Sequence, residues 1–155
     1  MTHWSAGYVG LPWREKGDTR DGVSCLGLCC LVYREQLQID LPTYAERFVS
    51  SAEREEIAAL YGEAKHAGAW RPIKRGEERE FDVALFRIAG VDAHIGLVTR
   101  PGQMLHISDR HDSQIERYAD TRWSARLSGI YRHEALVKGS LESSATTACL
   151  ASRTA

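Results

Sequence analysis

Ser24-Cys-Leu-Gly-Leu-Cys-Cys-Leu-Val-Tyr-Arg-Glu-Gln-Leu-Gln38 is the stretch on which the fold turns. It holds no proline, its one glycine is Gly27, and Leu28, Leu31, Val32 and Leu37 recur at helical spacing. Such a pattern predicts a buried helix with Cys25 in its first turn. Ahead of it, Gly10-Leu-Pro-Trp13 and Gly17-Asp-Thr-Arg-Asp-Gly22 read as a turn and a long loop that delivers the chain to the helix.

Downstream, a second helix is expected from Ser51 to about Ala67: Ser50 and Glu53 make a capping-box pattern, and Ile57, Leu60, Tyr61 and Ala64 share one face. Then come a loop through Arg71-Pro72 and a charged run from Lys74 to Glu80. Beyond it the apolar residues fall into short stretches, Phe81–Ile88, Ala93–Thr99, Met104–Ile107, Ile115–Tyr118 and Ser128–Arg132, which read as strands. Pro101-Gly102 is a strong hairpin signal between the second and the third. Helices followed by strands argue for an α+β fold, with N-terminal helices, the cysteine-bearing one among them, packed on a five- to six-stranded antiparallel sheet.

A chain of 155 residues with 43% hydrophobic content is long enough for one domain with a real core and short for two. That domain is expected over residues 1–137, followed by a flexible tail over 138–155, where the sequence is mostly small and polar. The formal charge of -1 comes from interspersed acids and bases, which gives no basic stripe for nucleic acid. No apolar run reaches the roughly 18 residues of a spanning helix, so membrane insertion is not expected. Met1-Thr-His-Trp-Ser-Ala-Gly-Tyr8 lacks the basic start and apolar run of a secretion signal, and cytoplasmic synthesis without a signal peptide is expected. The four cysteines fit that compartment as free thiols, three of them crowding positions 25, 29 and 30.

Cys25 follows a Gly- and Asp-rich loop at the predicted helix start, where free backbone N–H groups and the positive end of the helix dipole favour a thiolate. Position alone leaves nucleophile and small buried hydrophobe equally open, whereas Cys29 and Cys30 read as core residues. A cysteine nucleophile needs a base, and the base needs a third group to orient it. His94 and His106, on consecutive predicted strands joined by Pro101-Gly102, can lie on one side of that hairpin. The same three side chains could bind zinc, but no C-x-x-C or H-x-x-x-H pair is present, so no metal and no cofactor are expected. Tyr8 and Trp13 either line a cleft beside Cys25 or anchor the N-terminal loop on the core. Asp82 reads as a strand-end carboxylate with a structural partner and Asp92 as a turn residue. His3, His66, His111 and His133 read as surface residues, with His111 an outside candidate for the site.

Taken together, Tyr8-Val-Gly-Leu-Pro-Trp13, Gly22-Val-Ser-Cys25-Leu-Gly27-Leu, Phe81-Asp-Val-Ala-Leu-Phe-Arg87, His94-Ile-Gly-Leu-Val98, Met104-Leu-His106 and Gly129-Ile-Tyr-Arg132 resemble the NlpC (NlpC/p-sixty) family of papain-like cell-wall endopeptidases. The similarity is greatest to the branch found in phage tail-tip proteins and prophages. The resemblance spans roughly residues 4–133 and implies a papain-like fold, with Cys25 as nucleophile, His94 as general base and His106 as the orienting third residue. It implies hydrolysis of a stem-peptide amide bond in peptidoglycan through a thioester acyl-enzyme, with phage tail proteins as further partners and a virion, or other delivery to the cell wall, as the setting. Family members usually carry Asp immediately before the Cys. Here that position is Ser24, which can cap the helix. Trp13 takes the place of an upstream Tyr that assists the oxyanion, so Trp13, Ser24 and Tyr8 are the candidate substrate-binding residues. Two other functions stay open. One is a tail component that keeps the fold and grips peptidoglycan but cuts weakly or not at all. The other is a different papain-like acyl transfer, against which the chain order Cys, His, His counts.

Overall fold

The computed structural model describes residues 1–42 and 69–138, so the helix expected from Ser51 to about Ala67 and the tail beyond Lys138 lie outside the described residues. The cysteine-bearing helix forms where its pattern predicts. α1 runs Cys25–Val32 and continues through a π-helical turn, Tyr33–Leu37, to Gln38, whose left-handed backbone (φ 55°) ends it. Ser24 is the N-cap: its hydroxyl accepts the Gly27 N–H at 3.0 Å and satisfies one of the donors that a helix start leaves without a helical partner.

The segment expected as a loop ahead of α1 holds a small hairpin, β1 (Asp18–Thr19) paired antiparallel with β2 (Gly22–Val23). Two residues per arm are too few to show any alternation, which is why its turn residues masked it. The hairpin fixes the helix start. The Gly17 carbonyl accepts the Ser24 N–H at 2.9 Å, and a Cβ placed on Gly27 would collide with that same oxygen. Only glycine allows the first turn of α1 to approach so closely.

The main sheet has six antiparallel strands in the order β3-β8-β4-β5-β6-β7: β3 (Trp70–Ile73), β4 (Val83–Ile88), β5 (Val91–Arg100), β6 (Gln103–Ser108), β7 (His111–Arg117) and β8 (Leu127–His133). Five of these coincide with the five predicted strands. The sixth, β3, falls where a loop was expected, because Pro72 reads as a strand breaker. It lies at the sheet edge and pairs only with β8, Pro72 opposite Tyr131, where a missing N–H is tolerated. Between β5 and β6, Arg100 pairs with Gln103 and Gly102 takes φ 81°, as the third position of a type II turn requires.

Strand alternation divides the core in two. Val83, Leu85, Ile95, Leu97, Leu105 and Ile107 pack with Leu28, Leu31, Val32 and Tyr33, so α1 covers β5 and β6 from one side. The alternate residues Ala84, Phe86, Val98 and Met104 pack with Tyr118, Trp123 and Ile130. Asp82, fully buried just before β4, takes a two-pronged interaction from Arg132 on β8, its Oδ1 and Oδ2 each 2.8 Å from a guanidinium nitrogen. This is the structural partner its sequence position predicts. No helix among the described residues is long and apolar enough to cross a membrane.

Candidate active site

Cys25 is the first residue of α1, a half-buried thiol outside any disulfide, at the positive end of the helix dipole. Its neighbours are different. Burial pushes the Cys29 thiol far above its ordinary range and the Cys30 thiol up to about 12, the latter helped by Asp18, so both behave as small apolar residues. Of the three described thiols, Cys25 alone combines partial exposure with a helix N-terminus.

The two histidines meet across the β5–β6 hairpin. His94 Nε2 lies 3.0 Å from His106 Nδ1, with the rings nearly perpendicular at 87°. Extending the Leu97–Leu105 register places position 106 diagonally across from position 94, a separation that aromatic side chains bridge. The pattern then repeats. His106 pairs directly with Gln114 on β7, and the diagonal neighbour Glu116 brings Oε2 to 2.9 Å from His106 Nε2. A row of three side chains results, running His94, His106, Glu116.

Both imidazoles are enclosed. Trp123 stacks on His94 with centroids 5.0 Å apart and planes 20° apart, and Phe86 closes a second side at 6.1 Å. Exposure is 7% for His94 and 2% for His106. Burial, with a smaller contribution from His106, lowers the pKa of His94 to about 3, so the ring is neutral near pH 7 and able to accept a proton. His106 is also held below the ordinary histidine value, again chiefly by burial, which outweighs the upward pull of Glu116.

The structure thus joins His94 to His106 on one side of the hairpin. Cys25 is set in the layer between α1 and the sheet, and the imidazoles stand at the alternate positions of the same strands, among Phe86 and Trp123. Ser24 acts as a helix cap. Trp13 is half-buried against the helix-side core and bridges Val23. Tyr8 is 1% exposed, donates to Glu35 at 2.7 Å and accepts from Gln36 at 3.0 Å, which fits the anchoring alternative for this residue. His111 is exposed. His3 caps a short 3-10 turn over Trp4–Tyr8, and His133, expected at the surface, is half-buried edge-on to Trp70 at 5.0 Å. Among the described residues, no group of three or more His, Cys, Asp or Glu side chains is arranged to hold a metal ion.

Sequence reasoning missed Glu116 and Trp123. The signal for Glu116 was register: once the strand through Ile115 pairs with that of His106, position 116 falls one diagonal step from the imidazole. Trp123 lies in a stretch without strand or helix pattern, and nothing local marks it.

Comparison with known proteins fits this architecture. Murein DD-endopeptidase MepS/Murein LD-carboxypeptidase of Escherichia coli (strain K12) is 25% identical over 127 residues, covering 82% of this chain and 58% of that protein. The chain therefore spans less than two thirds of that relative's length. Among solved structures, an NlpC/P60 family protein from Bacillus cereus ATCC 10987 superposes with a TM-score of 0.60 at 15% identity, over 83% of this chain and 37% of the other. The NlpC/p60 domain of the peptidoglycan hydrolase SagA gives 0.56 at 16% identity, over 83% and 92%. The model of the NlpC/P60 family matches residues 10–132, a span that contains Cys25, His94, His106 and Glu116, and on that match the chain belongs to the NlpC/P60 family.

Proposed function

We propose that this protein is a cysteine peptidase that hydrolyses a stem-peptide amide bond of bacterial peptidoglycan, with Cys25 as nucleophile, His94 as general base and His106 as the residue that orients it. The observation that carries the proposal is the buried His94–His106 imidazole pair, which stands on one face of the two strands whose other face packs the cysteine-bearing helix. Family membership and the murein endopeptidase relative supply the substrate class.

The chemistry follows from the atoms. With Nε2 of His94 turned to His106, Nδ1 is the ring atom left to take the thiol proton, a transfer that requires Cys25 and His94, set in the layers on either side of the strands, to meet as Sγ attacks the scissile carbonyl. The negative oxygen that forms is met by the backbone N–H of Cys25, with the Trp13 indole N–H as a second donor. Collapse breaks the C–N bond, and the amine leaves with the proton held on His94. Water, deprotonated by the same nitrogen, then hydrolyses the thioester and restores the thiol. Burial that keeps His94 neutral opposes a standing thiolate–imidazolium pair, so in this reading the proton moves only as the thiol attacks.

Purified protein should release new amines from peptidoglycan, and Cys25→Ala or His94→Ala should abolish this with the far-UV spectrum unchanged. Equal digestion of muropeptides by wild type and Cys25→Ala would sink the proposal. Iodoacetamide near neutral pH should label Cys25 ahead of Cys29, Cys30 and Cys149. A second reading, a module that grips peptidoglycan without cutting it, draws on the enclosure of His94 beneath Trp123. It predicts sedimentation with insoluble peptidoglycan and no amine release from wild type. The setting we propose is a phage or prophage tail tip that carries the protein to the wall. Tail genes beside the coding sequence, or the protein in purified virions, would support that setting.

A further inference from the structure

We propose that Glu116 is the terminal positioning residue of the His94–His106 row, fixing both imidazoles in the tautomer that leaves His94 Nδ1 as the proton acceptor. This rests on the peptidase reading above and adds a residue to it.

The inference comes from counting donors and acceptors along the row. A carboxylate offers only acceptors, so the 2.9 Å contact between Glu116 Oε2 and His106 Nε2 requires a proton on that nitrogen. A neutral imidazole carries one N–H, which makes His106 Nδ1 an acceptor. At 3.0 Å from it, His94 Nε2 must be the donor, and the lone pair of His94 falls on Nδ1. The reverse polarity would set a lone pair of His106 against the carboxylate, unless His106 were doubly protonated. Its burial, which holds the ring below the ordinary histidine range despite Glu116, opposes that state.

Glu116 is itself held. It sits on β7 opposite Met104, and Arg122 stands 3.9 Å from Oε1, the oxygen that does not contact His106. Its side chain is 26% exposed, so exchanging it leaves no buried charge behind. The charged and titratable groups on the row are His94, His106, Glu116 and Arg122, while Arg122 and Arg126 lie over the Trp123 ring at 5.5 and 5.7 Å. When His94 takes up the thiol proton, Glu116 supplies a negative charge relayed through one ring.

The test uses Glu116→Ala, Glu116→Gln and Cys25→Ala on the full chain. Long-range nitrogen-15 imidazole spectra should find both rings of the wild type protonated at Nε2. In Glu116→Ala that tautomer should be lost or averaged, and kcat on muropeptides should fall by roughly 10- to 100-fold with KM unchanged. Glu116→Gln keeps an acceptor without the charge, so it should retain the tautomers while kcat stays reduced. Wild-type spectra with Nδ1–H on His94, or Glu116→Ala with unchanged tautomers and unchanged kcat, would overturn the assignment. The spectra judge Glu116 even in an inactive protein, whereas activity surviving in Cys25→Ala would overturn the peptidase reading alone.

Discussion

Acidification should unfold this protein through His94 before it does so through any carboxylate. In the folded state burial holds the His94 pKa down to about 3, against an ordinary value near 6.5 once the chain unfolds. Between those values the unfolded chain binds a proton that the folded chain refuses, so stability falls as pH falls. The loss begins near pH 6.5 and continues down to about pH 3, at about 1.4 kcal/mol per pH unit. From pH 7.5 to 5.0 His94 alone removes about 2 kcal/mol, a large share of the 5–15 kcal/mol that is usual for a domain. His106 and His133 are shifted down by burial too and act in the same direction. The carboxyls of Glu35 and Glu78 are held below the usual range, so their contribution is lost only at lower pH, outside this window. Urea unfolding followed by tryptophan fluorescence at the two pH values measures the drop. His94→Gln should show a drop smaller by about 2 kcal/mol, whatever its own stability at pH 7.5. An equal drop in wild type and variant would show that His94 is not buried in the way described.

Two further substitutions test the architecture around the site. Gly27→Ala would gain about 1 kcal/mol of helix propensity, yet its Cβ would press into the Gly17 carbonyl, backbone that cannot swing aside. Overpacking of roughly 1–3 kcal/mol set against that gain leaves a net loss of up to about 2 kcal/mol in urea, and a stabilised variant would refute the close approach. Asp82→Ala strips the partner from Arg132, whose side chain is 14% exposed, and should cost about 3–5 kcal/mol by thermal or urea unfolding. Asp82→Ala combined with Arg132→Met should recover a good part of that loss.

The elements most legible in the sequence were those with period and length. α1 announced itself by apolar spacing and by Ser24 at its cap, and the central strands by β-branched and aromatic runs between turns. The histidine pair was legible because Pro101-Gly102 fixes the hairpin, and the hairpin fixes which residues become diagonal neighbours. Glu116 needed one more register, that of β6 with β7, which no tight turn signal announces. β3 was hidden by Pro72, whose lack of an N–H argues against a strand everywhere except at an edge, and edge position is a property of the assembled sheet. The β1–β2 hairpin was hidden by its size. Trp123 was invisible for another reason: its place over His94 is set by the whole layer behind the sheet and not by its neighbours in sequence.

The two ends of the sheet are protected in different ways. An open strand edge invites a foreign strand to continue the ladder, which is how folded domains polymerise. Pro72 leaves a gap in the outer rim of β3. At the opposite rim the chain before α1 doubles back over β7, where Ser113 exchanges backbone bonds with Gly10 and Leu11 at 2.8 and 2.9 Å, and its hydroxyl accepts from Leu11 and donates to Tyr8. The same N-terminal arm that packs Trp13 against the helix-side core therefore acts as a stopper for the sheet. Loosening it would expose an open margin one strand away from His106.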